Sequence, residues 1–328
     1  MYPFTYTAVT RQGQAIESIG KTPTALFLAG GTNLVDEMKL NVRRPTQLID
    51  INGIGLDKIE ASPDGGLRIG TLVKNSDLAY DKQVSERYPV LSQALLSGAS
   101  AQLRNMATTG GNLLQKTRCT YYRDTTYEAC NKRTPGSGCA AINGHNRSHA
   151  LLGTSDQCIA THPSDMCVAL AALDAVIRVS GPRGERQIPI NEFYVPYGDD
   201  PAKENVLAHD ELITAVDLPP LPAAKRSVYL KARDRASYEF ALASAAVVLD
   251  LDGKSIKSAR IALGGVASKP WRSHEAEAAL NGKEATDDAF KAAAEAALKN
   301  ARPQKDNAFK VELAKRTIVE ALRRAAAM

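Results

Sequence analysis

The order of apolar and polar positions divides the chain into an element-rich opening, an aperiodic middle and a second element-rich stretch. ALFLAG (25–30) is an apolar run of strand length that ends in a double glycine. TNLVDEMK (32–39) begins with capping residue types and brings acidic residues in soon after, which predicts a helix start. TQLIDI (46–51) and GLRIGTLV (66–73) read as further strands, and 74–100 has helical spacing interrupted by Pro89. Strand–helix–strand order of this kind predicts an α/β or α+β first domain. Later, 164–179 reads as a helix running into a strand, and LPPLPAAK (218–225) as a boundary. Two strands, 240–253 and 256–267, are expected to join through a turn at Asp252-Gly253, and two Ala-rich helices around 286–301 and 305–327 close the chain.

The middle stretch, 115–157, has neither helical nor strand periodicity and is rich in Gly, Pro, Asn, Ser and Thr. Loops beyond about 12–15 residues without structure of their own are usually functional or disordered. Three cysteines fall inside it and argue for function. All five cysteines of the chain, Cys119, Cys130, Cys139, Cys158 and Cys167, lie together, with none in the first 118 residues or the last 161. A disulfide framework would need an oxidising compartment and would leave an odd thiol. A metal or cluster site accounts better for the grouping. Cys167 sits in the apolar helical stretch DMCVALAAL, where a small buried thiol is expected. The other four are the ligand candidates, and their spacing alone does not separate iron–sulfur from zinc.

Composition narrows the classes. At 328 residues the chain is long enough for two or three compact units. Its net charge of +5, aromatic content of 5% and single Trp do not suit a nucleic-acid platform. Residues 224–328 carry 20 Lys+Arg and 13 Asp+Glu, a balance of +7 against −2 for the remainder, which reads as a solvated face or a surface for an acidic partner. No apolar run approaches membrane-spanning length. The opening MYPFTYTAVTRQGQ lacks the basic and apolar regions of an export signal, so on its own the sequence predicts a cytoplasmic location.

The candidate chemistry lies in glycine turns. The only near match to a dinucleotide fingerprint, Gly136-Ser137-Gly138 followed by Ala141, lies inside the cysteine loop with no strand before it, and a Walker A sequence is absent. LFLAGGTNL (26–34) and TTGGNLL (108–114) each place two glycines after an apolar or β-branched stretch. Such pairs let backbone N–H groups approach an anion, and two of them could clamp the phosphates of a dinucleotide. Ordinary helix capping by Thr32 or Asn33 is the competing reading. In IATHPSDM (159–166), Ser164 and Asp165 suit a helix cap, while Asp165 could also bond a ribose or ribityl hydroxyl. His162 reads as structural, and no hydrolytic triad can be assembled, so no catalytic side chain is expected.

Taken together, LFLAGGTNLVDEMK, ATTGGNLL, CIATHPSDM, YLKARDRASYEFALASAAV and IALGGVASKPWR resemble the FAD-binding subunits of the xanthine dehydrogenase/aldehyde oxidoreductase (molybdenum hydroxylase) family. The cysteine insertion makes the resemblance strongest to the branch that carries a [4Fe-4S] cluster, and within it to periplasmic aldehyde oxidoreductases. The resemblance implies an α+β fold: a vanillyl-alcohol-oxidase/PCMH-type FAD-binding domain in two lobes, 1–57 and 58–222 with the iron–sulfur loop at 115–158, then a C-terminal α+β domain at 223–328. It implies FAD held by Leu26, Phe27, Leu28, Ala29, Gly30, Gly31, Thr32, Asn33 and Leu34, by Thr108, Gly111 and Asn112, and by Thr161, Asp165, Leu212, Ile213 and Lys231. It implies a [4Fe-4S] cluster on Cys119, Cys130, Cys139 and Cys158. Lys116, Arg118, Arg123, Lys132, Arg133 and Arg147 would then either offset thiolate charge or simply be solvated.

The implied partners are a molybdenum-cofactor subunit and a [2Fe-2S] subunit of a heterotrimer, with an external electron acceptor and neither nucleic acid nor membrane insertion. The implied location is periplasmic, by export with a partner that carries the signal. Two other readings remain open on the residues alone: a self-sufficient FAD-dependent oxidoreductase of the same fold, or a zinc-stapled, non-enzymatic interaction module.

Overall fold

The first apolar runs assemble a small parallel sheet. A computed structural model describes all 328 residues. Its opening elements are β1 (Thr5–Ala8), α1 (Gln12–Lys21), β2 (Ala25–Leu28), α2 (Leu34–Lys39) and β3 (Gln47–Asp50), with β3 central in the order β1-β3-β2. Ala15 and Ile19 stand one turn apart on α1 and pack on Ala25 and Ile49, so one face of the helix covers the sheet. β1 is largely exposed, which explains why its TYTA sequence carries no strand-like apolar alternation.

The second sheet has five antiparallel strands in the order β4-β5-β8-β6-β7: β4 (Ile59–Ala61), β5 (Leu67–Gly70), β6 (Val176–Gly181), β7 (Gly184–Pro189) and β8 (Leu212–Leu218). Between β5 and β6 run α3 (Asn75–Tyr80), α4 (Lys82–Arg87), α5 (Pro89–Ser97), α6 (Ala101–Arg104), α7 (Thr109–Leu113), α8 (Thr120–Arg123), α9 (Ala140–Asn143) and α10 (Asp165–Ala172); α11 (Ile190–Phe193) follows β7. Pro89 starts a helix rather than breaking one, since its missing N–H costs nothing in the first turn. Every residue of α10 is buried, which fits its unbroken apolar sequence. With α5 and the sheet it centres the largest core.

The closing sheet, in the order β12-β11-β10-β9, comprises β9 (Ser227–Ala232), β10 (Ala243–Asp252), β11 (Ser255–Gly264) and β12 (Trp271–Arg272), followed by α12 (His274–Leu280), α13 (Asp287–Leu298) and α14 (Phe309–Ala326). Asp252 pairs with Ser255 across the expected hairpin turn. Alternate residues of β10 enter different cores: Ala246 and Val248 join the α5–α10 core, while Ala245, Val247 and Leu249 join that of α13 and α14. A strand covered on both faces reads as a continuous apolar run, which is how this one appears in the sequence. No helix is long and apolar enough to cross a membrane.

Candidate functional site

The two glycine turns pack against each other. A Cβ on Gly30 would fall 2.0 Å from the Met106 carbonyl oxygen, and one on Gly110 would fall 2.0 Å from Thr71 Oγ1. Only a residue without a side chain lets these backbones approach so closely. Thr108 caps α7 by accepting from Gly111 N at 3.2 Å. The capping expected of Thr32 or Asn33 is absent from the first turn. Asn33 makes no side-chain cap on α2; its Oδ1 accepts from Lys116 N at 2.6 Å and so ties the first turn to the start of the cysteine loop. The backbone N–H groups of Gly30, Gly31, Thr32 and Asn33 donate to nothing within the chain. Successive free donors of this kind form a cradle for anionic oxygens.

Two cavities flank the turns and share Thr32, Asn33 and Gly111. The smaller, about 300 Å³, is lined by Leu26, Phe27, Ala29, Gly30, Gly31, Leu34, Thr108, Leu212 and Ile213 among others. The larger, about 590 Å³, takes in Asn112, Asp165 and Lys231. The seventeen-residue FAD set therefore lines one two-chambered groove, with two exceptions. Leu28 lines neither chamber, and Thr161 lines a third cavity of about 200 Å³ beside Cys119 and His149.

Four residues of the larger chamber carry buried donors without partners: Asn33 Nδ2, already in the expected FAD set, Asn75 Nδ2 and Arg104 Nε, which sequence reasoning missed, and Arg123 Nη1, which it placed with the cysteine loop. The Asn75 amide is oriented by Asn112, whose Nδ2 donates to Asn75 Oδ1 at 2.8 Å, and that of Asn33 by Lys116 N. A chamber ringed by unmatched donors suits a ligand rich in acceptor oxygens, which a flavin dinucleotide is. FAD fits the residues present.

Asp165 and Lys231 are expected as separate contacts, but the structure makes them one unit. Lys231 Nζ donates to Asp165 Oδ2 at 2.8 Å and to the Ser97 carbonyl at 3.1 Å, and Tyr229 OH donates to Asp165 Oδ1 at 2.5 Å. Both members of the ion pair are almost fully buried. Burial first, then the Asp165 charge, pushes the Tyr229 hydroxyl well above its ordinary value, so it stays protonated and donating. Ser164 caps α10 through Cys167 N, as its sequence suggests.

The cysteine loop is not structureless. Cys130 and Cys139 face each other in an antiparallel bridge between α8 and α9. Cys119 packs with Cys139 around Tyr121, Ala141 and Ile159, and with Cys158 around Ala160 and Tyr197. Cys167 is apart, its sulfur 3.1 Å from Tyr194 OH. No three cysteine, histidine or acidic side chains converge closely enough to hold a single metal ion. Four ligands at roughly 2.3 Å from one zinc ion would have to crowd together, whereas a cubane keeps its thiolates apart at its corners. Burial pushes the Cys119 thiol up to about 11 and the Cys158 thiol up to about 12, so these groups ionise only against a strong local positive charge. Cys119, Cys130, Cys139 and Cys158 lie near enough to feel one another's charge, and four gathered thiols are the donor chemistry a cluster would take.

The basic residues of this loop are held by carboxylates, carbonyls and aromatic rings; Arg147 remains exposed, and the Lys132 charge opposes the upward shift of the Cys158 thiol. Arg123 bonds Asp36 at 2.8 Å, Arg147 bonds Asp234 at 2.7 Å, and Arg133 donates to the Tyr121 and Tyr122 carbonyls. Arg118 donates to the Lys116 carbonyl and lies over the Phe240 ring at the rim of the larger chamber. Lys116 and Lys132 both bond Glu204, Lys132 at 2.6 Å, and Lys132 also covers the Tyr197 ring at 3.9 Å. Burial would raise the Glu204 carboxyl, but the two lysines outweigh it and hold it down at about 2. Glu204 lies far along the chain in an unremarkable polar stretch, and no sequence signal marks it.

The C-terminal segment closes the same loop from the other side. Lys310, fully buried on α14, donates to the carbonyls of Ser148 at 3.1 Å, His149 at 2.8 Å and Gly265 at 2.7 Å. With no carboxylate beside it, burial brings its amine down to about 7. Asn146 and Asp306 exchange backbone-to-side-chain bonds at 3.2 and 3.0 Å, and Arg302 N donates to the Leu151 carbonyl at 2.7 Å. His162 is buried against Tyr194, and burial drives its ring down to about 3.

Known proteins carry the same organisation. The model of the FAD binding domain in molybdopterin dehydrogenase matches residues 2–221, and that of the CO dehydrogenase flavoprotein C-terminal domain matches 228–326. The chain is 53% identical to the aldehyde oxidoreductase FAD-binding subunit PaoB of Escherichia coli K12, over 100% of this chain and 99% of that one. It is 29% identical to the glyceraldehyde dehydrogenase medium chain of Sulfolobus acidocaldarius, covering 94% and 92%. The carbon monoxide dehydrogenase structure from Hydrogenophaga pseudoflava superposes with a TM-score of 0.78 at 28% identity, covering 100% and 99%. The chain belongs to the FAD-binding subunits of the molybdenum hydroxylase family.

Proposed function

We propose that this chain is the FAD- and [4Fe-4S]-binding electron-transfer subunit of a heteromeric molybdenum-containing aldehyde oxidoreductase. The observation that carries the flavin assignment is the two-chambered groove with its free backbone donors and unmatched side-chain donors. Bound FAD, with a cluster on Cys119, Cys130, Cys139 and Cys158, would supply electron transfer between iron–sulfur centres of partner subunits and an external acceptor. The chain's own residues hold and orient. Gly30 to Asn33 offer N–H groups to the phosphates, the Asp165–Lys231 ion pair presents a fixed polar group at the larger chamber, and Leu212 and Ile213 give the smaller chamber an apolar wall. No side chain is required as a general acid or base.

Full-length identity to an aldehyde oxidoreductase subunit favours aldehyde chemistry in the complex, a molybdenum subunit and a [2Fe-2S] subunit as partners, and a periplasmic location reached by export with one of them. The proposed division at 57/58 and 222/223 is supported by the three separate sheets, although each core takes in residues from across a boundary.

The purified protein should show flavin absorbance and about four irons per chain, with loss of iron but retention of flavin in Cys130→Ser. A colourless, zinc-containing preparation without flavin would refute the assignment. Turnover of an aldehyde by the isolated chain would favour a self-sufficient oxidoreductase instead.

A further inference from the structure

Of the four candidate ligands, only the Cys119 sulfur has a side-chain hydrogen-bond partner. His149 Nε2 stands 3.2 Å from it. The ring is buried at 4% exposure, and its other nitrogen, Nδ1, meets no partner. The backbone that carries the ring is fixed. His149 N donates to the Asn146 carbonyl at 3.0 Å, and the His149 carbonyl accepts from Lys310 at 2.8 Å and from Asn307 Nδ2 at 3.2 Å.

The hydrogen atoms decide what this contact does. A free thiol could donate its own proton to an unprotonated Nε2. A sulfur bonded to iron has lost that proton and can only accept, so the one hydrogen left for the contact is the imidazole's. That places it on Nε2 and leaves Nδ1 as a bare acceptor, the less costly kind of unpaired buried atom. We propose that His149 is a positioning residue for the cluster, donating Nε2–H to the iron-bound sulfur of Cys119 and raising the cluster's reduction potential. The inference rests on the cluster assignment above. A hydrogen bond to a ligating sulfur stabilises the more negative, reduced state, and the anchored backbone and burial of the ring keep the donor near that sulfur.

The test uses the purified complex, with the cluster titrated anaerobically and followed by electron paramagnetic resonance. His149→Phe keeps a ring without the donor; His149→Gln keeps an N–H at similar reach. Both are expected to hold wild-type iron and flavin, with the midpoint potential shifted downward in His149→Phe and close to wild type in His149→Gln. An unmoved potential in His149→Phe overturns the proposal. Iron loss matching that of Cys119→Ser also overturns it, because His149 would then be a ligand. Should His149→Phe not fold, wild-type protein carrying isotopically labelled histidine is expected to show a weakly coupled imidazole nitrogen at the reduced cluster, and its absence overturns the proposal. Iron-free wild-type protein would instead remove the cluster assignment, and this inference with it.

Discussion

The glycine-lined groove and the cysteine loop adjoin each other at Arg118 and Phe240, yet they are held by different means. The groove is made where regular elements end: β2 runs into one double glycine and α7 begins on the other, and the close approach of the two backbones sets its shape. The loop contains only two one-turn helices. Its form comes from side chains that reach across the fold, among them Glu204 under Lys116 and Lys132 and Lys310 on two carbonyls of the loop, while Arg133 ties three carbonyls within it. Backbone geometry builds one site and long-range polar bonds build the other. They should therefore fail separately.

The largest effect is expected from Glu204→Gln. It leaves Lys132, 3% exposed, without its charge partner, and breaking a buried pair from one side costs about 3–5 kcal/mol. Denaturant unfolding should show the loss, and limited proteolysis should cut within 115–158, while flavin content stays near wild type. Acid should act on the same pair. The Glu204 carboxyl is held at about 2 against an ordinary 4.5, so its stabilisation is complete above the ordinary value and disappears as pH falls from there toward the depressed one. The loss amounts to roughly 3 kcal/mol, read as a drop in unfolding free energy that Glu204→Gln no longer shows.

Gly30→Ala is the converse break. Its Cβ would meet the Met106 carbonyl at 2.0 Å, so the turns must separate, at a cost of about 1–3 kcal/mol. Flavin should be lost on gel filtration while iron content is retained. The smallest effect belongs to Cys167→Ala, which removes a buried sulfur from α10 for about 1 kcal/mol and should leave both cofactors in place. Metal analysis of that variant beside Cys130→Ser separates a core thiol from a ligand.

The same contrast explains what the sequence disclosed. Strand β10, helix α10 and the final helices announce themselves by apolar pattern, because burial on one or both faces writes a period into the chain. The glycine turns were visible for a related reason, since a backbone without a side chain is a local requirement. The joining of Asp165 to Lys231 was not visible, since it depends on α10 and β9 packing together across 66 residues of chain. Glu204, His149 and Lys310 were also missed. Each works through a partner remote in sequence, and none differs locally from an ordinary surface residue. Asn33 shows the limit most plainly: a residue type suited to capping turns out to hold the neighbouring loop.

The bonds from Arg302, Asp306, Asn307 and Lys310 to residues 146–151 also set an order of events. The loop is encoded before the midpoint of the chain, but the segment that fixes its last quarter lies within the final 27 residues. A nascent chain still emerging from the ribosome holds the four thiols on a loop without its far support. Contacts between segments this remote form late. The loop's far support is therefore completed only after the last residues of the chain have been made.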